Sequence, residues 1–294
     1  MNNRKFLFAG IVTCALVWND VNAQSLPVPP PSPKQTVTQQ FATANIEIEY
    51  SRPSVKGRKA FGDVVAYDKV WRTGANAATT IAFGDDFTIN GVKVEKGKYG
   101  LLSIPGEKEW TIIITKDLNI TSETAYKQEN DVLRVQAKPS VLPYTVETFT
   151  IDINNVRPTE TDVFLRWDRT EVSFKVKADI DEKIMTAIEK EMAVDKRPYS
   201  QAATYYFENG KDLNKALEWI NKAVDARPEA FWLVHTKAKI QHKLKDYNGA
   251  IASAENSIAK AKAASNDDYV KMNEKLIAEI KALPDYKPAP AKKK

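Results

Sequence analysis

Cysteine is nearly missing from this 294-residue chain, and Cys14 is the only one. Histidine is almost as scarce, with His235 and His242 alone. No apolar run reaches the roughly 20 residues that a membrane-spanning helix requires; the longest, Phe6 to Trp18, falls short. Neither sign of charge prevails. Lys and Arg number 43 against 38 Asp and Glu, and the formal net charge of +5 divides into +1 for residues 1–23, +1 for 24–178 and +3 for 179–294. Lys287, Lys292, Lys293 and Lys294 account for the last excess. No part is basic enough to leave a nucleic-acid footprint.

Arg4 and Lys5 precede the apolar run, and Val21-Asn22-Ala23 follows it with residues that a signal peptidase accepts. Residues 1–23 therefore read as a secretory signal peptide, cut between Ala23 and Gln24. Thr13 before Cys14 and the apolar residues beyond it speak against a lipidated cysteine. Cys14 then leaves with the leader. The mature chain is expected to be exported, periplasmic or extracellular, with no disulfide, thiol nucleophile or thiolate metal site and no transmembrane segment.

The mature chain changes character three times. Residues 24–35 (QSLPVPPPSPKQ) are proline-rich and predict an extended linker. From Thr36 to Ala178 the periodicity is two: Ile46, Ile48 and Tyr50 alternate with polar residues, as do Phe149, Ile151 and Ile153, and Val172, Phe174 and Val176. Asn90-Gly91 and Pro105 to Lys108 mark hairpin turns, and Asp168-Arg169 suggests another. Trp110 to Ile114 is apolar on both faces and predicts a central strand. About nine short strands without helical patterning predict an antiparallel β-sandwich or jelly-roll-like domain over 36–178.

Beyond it the period becomes helical, first over Ile180 to Met192 and then in a repeat. Lys211 to Leu217 recurs as Lys245 to Ile251 at an offset of 34 residues, with Ala216 and Ala250 at matching places. Small residues there let paired helices approach closely, a pattern that resembles the tetratricopeptide repeat. The first repeat is expected over Arg197 to Ala230, the second over Phe231 to Ala264, and a capping helix over Asp267 to Leu283. Gln241 departs from the pattern, standing where the first repeat has the large apolar Phe207. Two repeats and a cap fall short of the roughly three that stand alone, so the array should lean on the sandwich or on Ile180 to Met192. Residues 284–294 read as a disordered, Lys-rich tail. The fold class is thus α+β in two domains, with an all-α tetratricopeptide-like domain over 179–283.

Chemistry is narrowed chiefly by exclusion. The sandwich holds neither His nor Cys, which removes Ser-His-Asp, Cys-His and His-ligated metal sites from it. His235 and His242 lie about 10.5 Å apart along a helix at 1.5 Å per residue, too far to share an ion. With Lys239 and Lys243 they make a basic stripe, either a protein-contact surface for an acidic peptide or a chain-terminal carboxylate, or a solvated helix face. No phosphate loop, calcium loop or HExxH motif occurs, and no cofactor is implied.

One β-domain segment is too long for a turn: the stretch between the strand ending near Ser51 and the next beginning near Thr79. It carries Arg52, Arg58, Tyr67, Trp71, Arg72 and Asn76, a set suited to an anionic or glycan-like ligand, since Arg forks grip carboxylates and phosphates and aromatics pack sugar or apolar faces. The alternative is a plug, in which Phe61, Val65 and Trp71 close one end of the sandwich and the Arg side chains pair with Asp63, Asp68 or backbone carbonyls.

The motifs SRPSVKGRKAFG, VWRTGANAATTIAF and NGVKVEKGKYGLLSIPGEKEWTIII, in that order, resemble the uncharacterised exported bacterial family called domain of unknown function 2911. The resemblance covers roughly residues 36–178, and helical tails like PYSQAATYYFENGKDLNKALEWINKA often follow in its members. The chain departs from the usual pattern at Ala66-Tyr67-Asp68 and Glu95-Lys96-Gly97. The resemblance implies an architecture and no activity. Three functions remain open: a non-catalytic binding or scaffold protein of the cell envelope, an enzyme using Asp63, Asp68 or Glu109 on glycans, and a purely structural envelope protein.

Overall fold

A computed structural model describes residues 28–194 and 197–288. The expected signal peptide, the first linker residues 24–27 and the end of the tail, 289–294, lie outside the described residues. The described chain divides into two compact units between Ala178 and Asp179. Antiparallel sheets build the first and six α-helices the second.

Six strands form the larger sheet: β1 (Lys34–Phe41), β2 (Ala44–Ser51), β3 (Thr79–Phe83), β6 (Gly97–Ile104), β7 (Trp110–Thr115) and β8 (Asp131–Ala137), hydrogen-bonded in that order. The smaller sheet has the order β5 (Val92–Val94), β4 (Phe87–Ile89), β10 (Glu160–Ala178), β9 (Ser140–Asn154). The larger sheet is a meander interrupted once, where the β4–β5 hairpin at Asn90-Gly91 crosses to the other sheet. Ile46, Ile48 and Tyr50 are buried, as their alternation requires, and so are Phe149, Ile151 and Ile153 of the other sheet. Ring contacts between Phe41 and Phe87 (5.3 Å) and between Tyr50 and Phe149 (5.8 Å) join the two layers. The Tyr50 hydroxyl accepts from the Ile151 N–H (2.8 Å) and donates to Gln35 (2.9 Å), so its polar end is satisfied at the inter-sheet boundary.

Trp110 to Ile114 is internal to the sheet, between β6 and β8, as its apolar faces require. Two expectations need correction. β1 begins at Lys34, paired with Ser51, so the fold starts two residues inside the linker. Asp168-Arg169 does not turn the chain between two strands. It sits within β10, where the ladder shifts register on both sides of Asp168, a residue at φ 53°. The buried positions show the cause: they run 163, 165, 167 and then 172, 174, 176, an odd-to-even switch that an extended strand accommodates by a bulge.

Both faces of β6 and β7 are covered. Leu101, Ile112 and Ile114 face the inter-sheet core, while Leu102 and Ile113 lie on the other side with Ala78 and Ile120, beneath the chain that links β7 to β8.

The second unit holds α1 (Asp181–Met192), α2 (Tyr199–Glu208), α3 (Leu213–Ala226), α4 (Phe231–Lys243), α5 (Tyr247–Ala263) and α6 (Asp267–Lys281). The α2–α3 and α4–α5 pairs fall where the 34-residue offset puts them, and Ala216 and Ala250 are both fully buried at the helix contacts. Of the two supports expected for the array, α1 is seen: Ile184, Met185, Ile188 and Met192 join the core of α2 and α3. Asp181 accepts from the Tyr205 hydroxyl (2.8 Å) and Lys211 Nζ (2.7 Å), fastening the start of α1. Gln241, the departure from the apolar pattern, is used for its amide. It donates to Asp246 (2.9 Å), the N-cap of α5, and accepts from Ser253 (2.6 Å). The beginning of the tail is docked: Tyr286 packs against Tyr247, whose hydroxyl donates to Asp285, and Asn248 donates to the Lys287 carbonyl.

Candidate functional site

The segment from Arg52 to Ala78 forms no regular strand, and its backbone bonds to both sheets. Trp71 and Ser103 exchange two hydrogen bonds (2.7 and 2.9 Å) on the β6 side, and on the β9 side Val55 donates to Glu147 and Phe149 to Pro53 (2.8 Å each). Between these anchors the aromatic side chains turn inward. The Trp71 ring lies 5.8 Å from Phe61, 5.0 Å from Phe149 and 6.3 Å from Trp110, and stacks on Trp167 at 5.9 Å. Its indole N–H donates to the Gly74 carbonyl (3.0 Å).

A buried polar knot supports the next turn. The Thr73 hydroxyl pairs with the Ser103 hydroxyl (2.9 Å), and the Thr79 hydroxyl donates to the Thr73 carbonyl (2.5 Å). All three side chains are fully buried. Thr73 sits at φ 54°, left-handed geometry that a β-branched residue adopts only under constraint. Gly74 follows because a Cβ there would stand 2.9 Å from the Ser51 carbonyl oxygen. Strain and buried hydrogen bonds thus meet directly behind Arg72.

The six residues expected as one ligand set occupy different places. Arg52 donates to the Phe149 carbonyl (2.9 Å) and the Thr150 hydroxyl (2.8 Å), and Arg58 to the carbonyls of Val55 and Ser54 (3.0 and 3.1 Å). Asn76 reaches the Ser32 carbonyl (3.4 Å). Tyr67 borders a separate hollow of about 200 Å³ with Phe61, Trp110 and Glu107. Trp71 and Arg72 remain together. Arg72 donates from Nη1 to the Thr121 carbonyl and stands between two depressions. One, about 290 Å³, is bounded by Ile120, Thr121 and Ser122. The other, about 320 Å³, is bounded by Pro53, Val64, Lys69, Ala75 and Trp167. Pro53 comes from the SRPS motif and Trp71, Arg72, Gly74 and Ala75 from WRTGAN, so both motifs line one surface. Lys69 and Trp167 were not anticipated. Trp167 arrives from β10, almost a hundred residues later, and no local pattern connects it with Trp71.

Asp63, Asp68 and Glu109 line neither depression beside Arg72. Asp63 accepts from the Lys59 N–H (3.3 Å) within the segment's own turn, and the Asp68 N–H donates to the Pro105 carbonyl (2.8 Å) in the link between β6 and β7.

In the helical unit the members of the basic stripe on α4 meet different neighbours. His235 turns toward α6, its Nδ1 2.9 Å from the Asn273 amide oxygen and its ring against Tyr269. Asn273, fully buried, donates to the Ser257 hydroxyl (2.9 Å), which donates to the Phe231 carbonyl (2.8 Å). Lys239 lies over the Phe207 ring of α2 (5.1 Å), His242 faces Tyr247 of α5, and Lys243 is exposed. Another groove, about 480 Å³, runs between α2 and α4, bounded by Thr204, Tyr205, Arg227, Trp232 and Leu233. Trp232 is 42% exposed there.

Burial holds the His235 pKa below the usual histidine value, outweighing its bond to Asn273, with Lys239 acting in the same direction as burial. The folded state therefore takes up its proton later than the unfolded state. The contribution of His235 is complete above about pH 6.5 and is lost as pH falls from there through the lower folded-state pKa. Melts followed by far-ultraviolet circular dichroism should show the helical transition moving to lower temperature between neutral and mildly acid pH. In His235→Gln that shift should shrink; an equal shift in both proteins would assign it to other groups.

No helix among the described residues is long and apolar enough to cross a membrane. No curated protein and no solved structure matches the chain. Residues 32–176, from just ahead of β1 to within two residues of the end of β10, match the model of the family described as Protein of unknown function (DUF2911).

Proposed function

We propose that this is an exported, non-catalytic binding protein of the bacterial cell envelope. Its β-unit holds an anionic ligand beside Arg72, and its helical unit, an array of tetratricopeptide-like repeats, contacts a protein partner. The depression bounded by Trp71, Arg72 and Lys69 carries the reading: among the described residues two cations and no carboxylate line it, on a strained and hydrogen-bonded turn. Export rests on the leader at residues 1–23. The partner surface is the α2–α4 groove, where an exposed Trp lies beside Tyr and Arg, the residue types that dominate binding energy at protein interfaces.

The test equilibrates the mature chain with envelope extract, washes it, and analyses by mass spectrometry the small molecules released on denaturation. An anion is expected from the wild-type protein. Arg72→Ala should lower its recovery at least about tenfold, as loss of a charged hydrogen bond requires. Release of no anion, or equal release from Arg72→Ala, would remove the proposal.

A further inference from the structure

The same depression narrows the class of ligand. We infer that it takes a monocarboxylate with an apolar body, the carboxylate at Arg72 and the body against Val64, Val65, Val70 and the two indoles; this rests on the binding role proposed above.

The reasoning concerns what the lining offers and what it has already spent. Arg72 carries five N–H donors in a planar fork, and its one side-chain hydrogen bond among the described residues goes from Nη1 to Thr121. The rest of the fork is left for a planar, two-oxygen acceptor. Both indoles have committed their N–H groups, Trp71 to the Gly74 carbonyl (3.0 Å) and Trp167 to the Glu147 carbonyl (3.3 Å). The little surface they expose, 8% of Trp71 and 1% of Trp167, offers a ligand only hydrocarbon. Among the described residues, apart from Lys69 and Arg72, the lining side chains are aliphatic, proline or indole, and none supplies a hydrogen-bond acceptor.

A sugar, with hydroxyls that both donate and accept, would leave its donors without side-chain partners there, at about 1–3 kcal/mol for each one buried. A bare inorganic anion would gain the guanidinium and nothing from the apolar floor. A carboxylate on a hydrocarbon body uses both. At about 320 Å³ the depression stands at the lower end of small-molecule sites, which limits the body to a short chain or a single ring.

Tryptophan fluorescence reads the site directly, because Trp71 and Trp167 line it. The mature protein is titrated with octanoate, with acetate, with 1-octanol and with a neutral oligosaccharide. Octanoate should give a saturable change, binding at least about tenfold more tightly than acetate or octanol, the value of one charged hydrogen bond or of a few buried methylenes. In Arg72→Ala octanoate should fall to the level of octanol while octanol is unchanged, a pattern that general unfolding would not produce. Ala75→Leu, which fills the depression and leaves Arg72 in place, should abolish the octanoate response in a protein that melts normally.

Equal binding of acetate and octanoate, or a response to the oligosaccharide alone, would overturn the inference. So would silence toward every probe while envelope extract still yields an Arg72-dependent anion, an outcome that leaves the broader binding role standing. If neither the probes nor the extract yields an Arg72-dependent ligand, both readings fall.

Discussion

Trp71→Ala is expected to destabilise the β-unit by about 4 kcal/mol, the range for removing a large aromatic from a packed core. Trp71 is 8% exposed and touches Phe61, Trp110, Phe149 and Trp167, which come from its own segment, β7, β9 and β10. Its removal would therefore leave a void shared by both sheets. Against a total stability of about 5–15 kcal/mol for an ordinary domain, that loss brings the unit close to unfolding. Trp71→Phe should cost less, about 1–3 kcal/mol, because the ring is largely kept while the Gly74 carbonyl loses its donor. Urea unfolding followed by near-ultraviolet circular dichroism gives both values. A loss below about 1 kcal/mol for the alanine variant would mean that residues 52–78 are laid on a sandwich already complete without them.

The second large effect lies at Gly100, inside β6. A Cβ there would stand 2.5 Å from the Asp117 carbonyl oxygen and 2.8 Å from the Thr115 methyl, so the chain leaving β7 passes directly over it. The nearer obstacle is backbone and cannot rotate aside. Gly100→Ala should cost about 2–3 kcal/mol, the upper part of the range for overpacking. Gly91→Ala is the matched control: its Cβ meets nothing within 4 Å, and its cost is the left-handed backbone alone (φ 89°), about 1 kcal/mol. If the two substitutions cost the same, the close approach at Asp117 is absent in solution.

What the sequence revealed and what it hid separate along the distance between interacting residues. The strands of β2, β9 and the second half of β10 were visible because alternation is local, and so was the Asn90-Gly91 hairpin. The helix pairs were visible because the 34-residue offset repeats in the chain itself. The bulge in β10 was equally present, as a change from odd to even buried positions, but a polar pair in mid-strand resembles a turn until the partner strand is known. Arg52, Arg58 and Arg72 could not be told apart. They share one segment and one chemistry, and differ in the acceptors they find, for Arg52 a carbonyl 97 residues away and a hydroxyl beside it. Gln241 looked like a flaw in the repeat because the apolar pattern has no place for an amide that holds an N-cap. The convergence of Trp71 and Trp167 had no local signature, and it makes the floor of the depression on which the functional proposal stands.

Two sheets of a sandwich ordinarily meet through side chains alone, and side-chain contacts resist separation better than sliding. Here the segment from Arg52 to Ala78 is bonded through its backbone to β6 at Trp71 and to β9 at Pro53 and Val55. It acts as a cross-brace, so that shear of one layer over the other must first break directed hydrogen bonds. The wall that carries Arg72 is part of this brace. The spacing between its guanidinium and the indole of Trp167 on the opposite layer is therefore held by the same bonds that stiffen the sandwich.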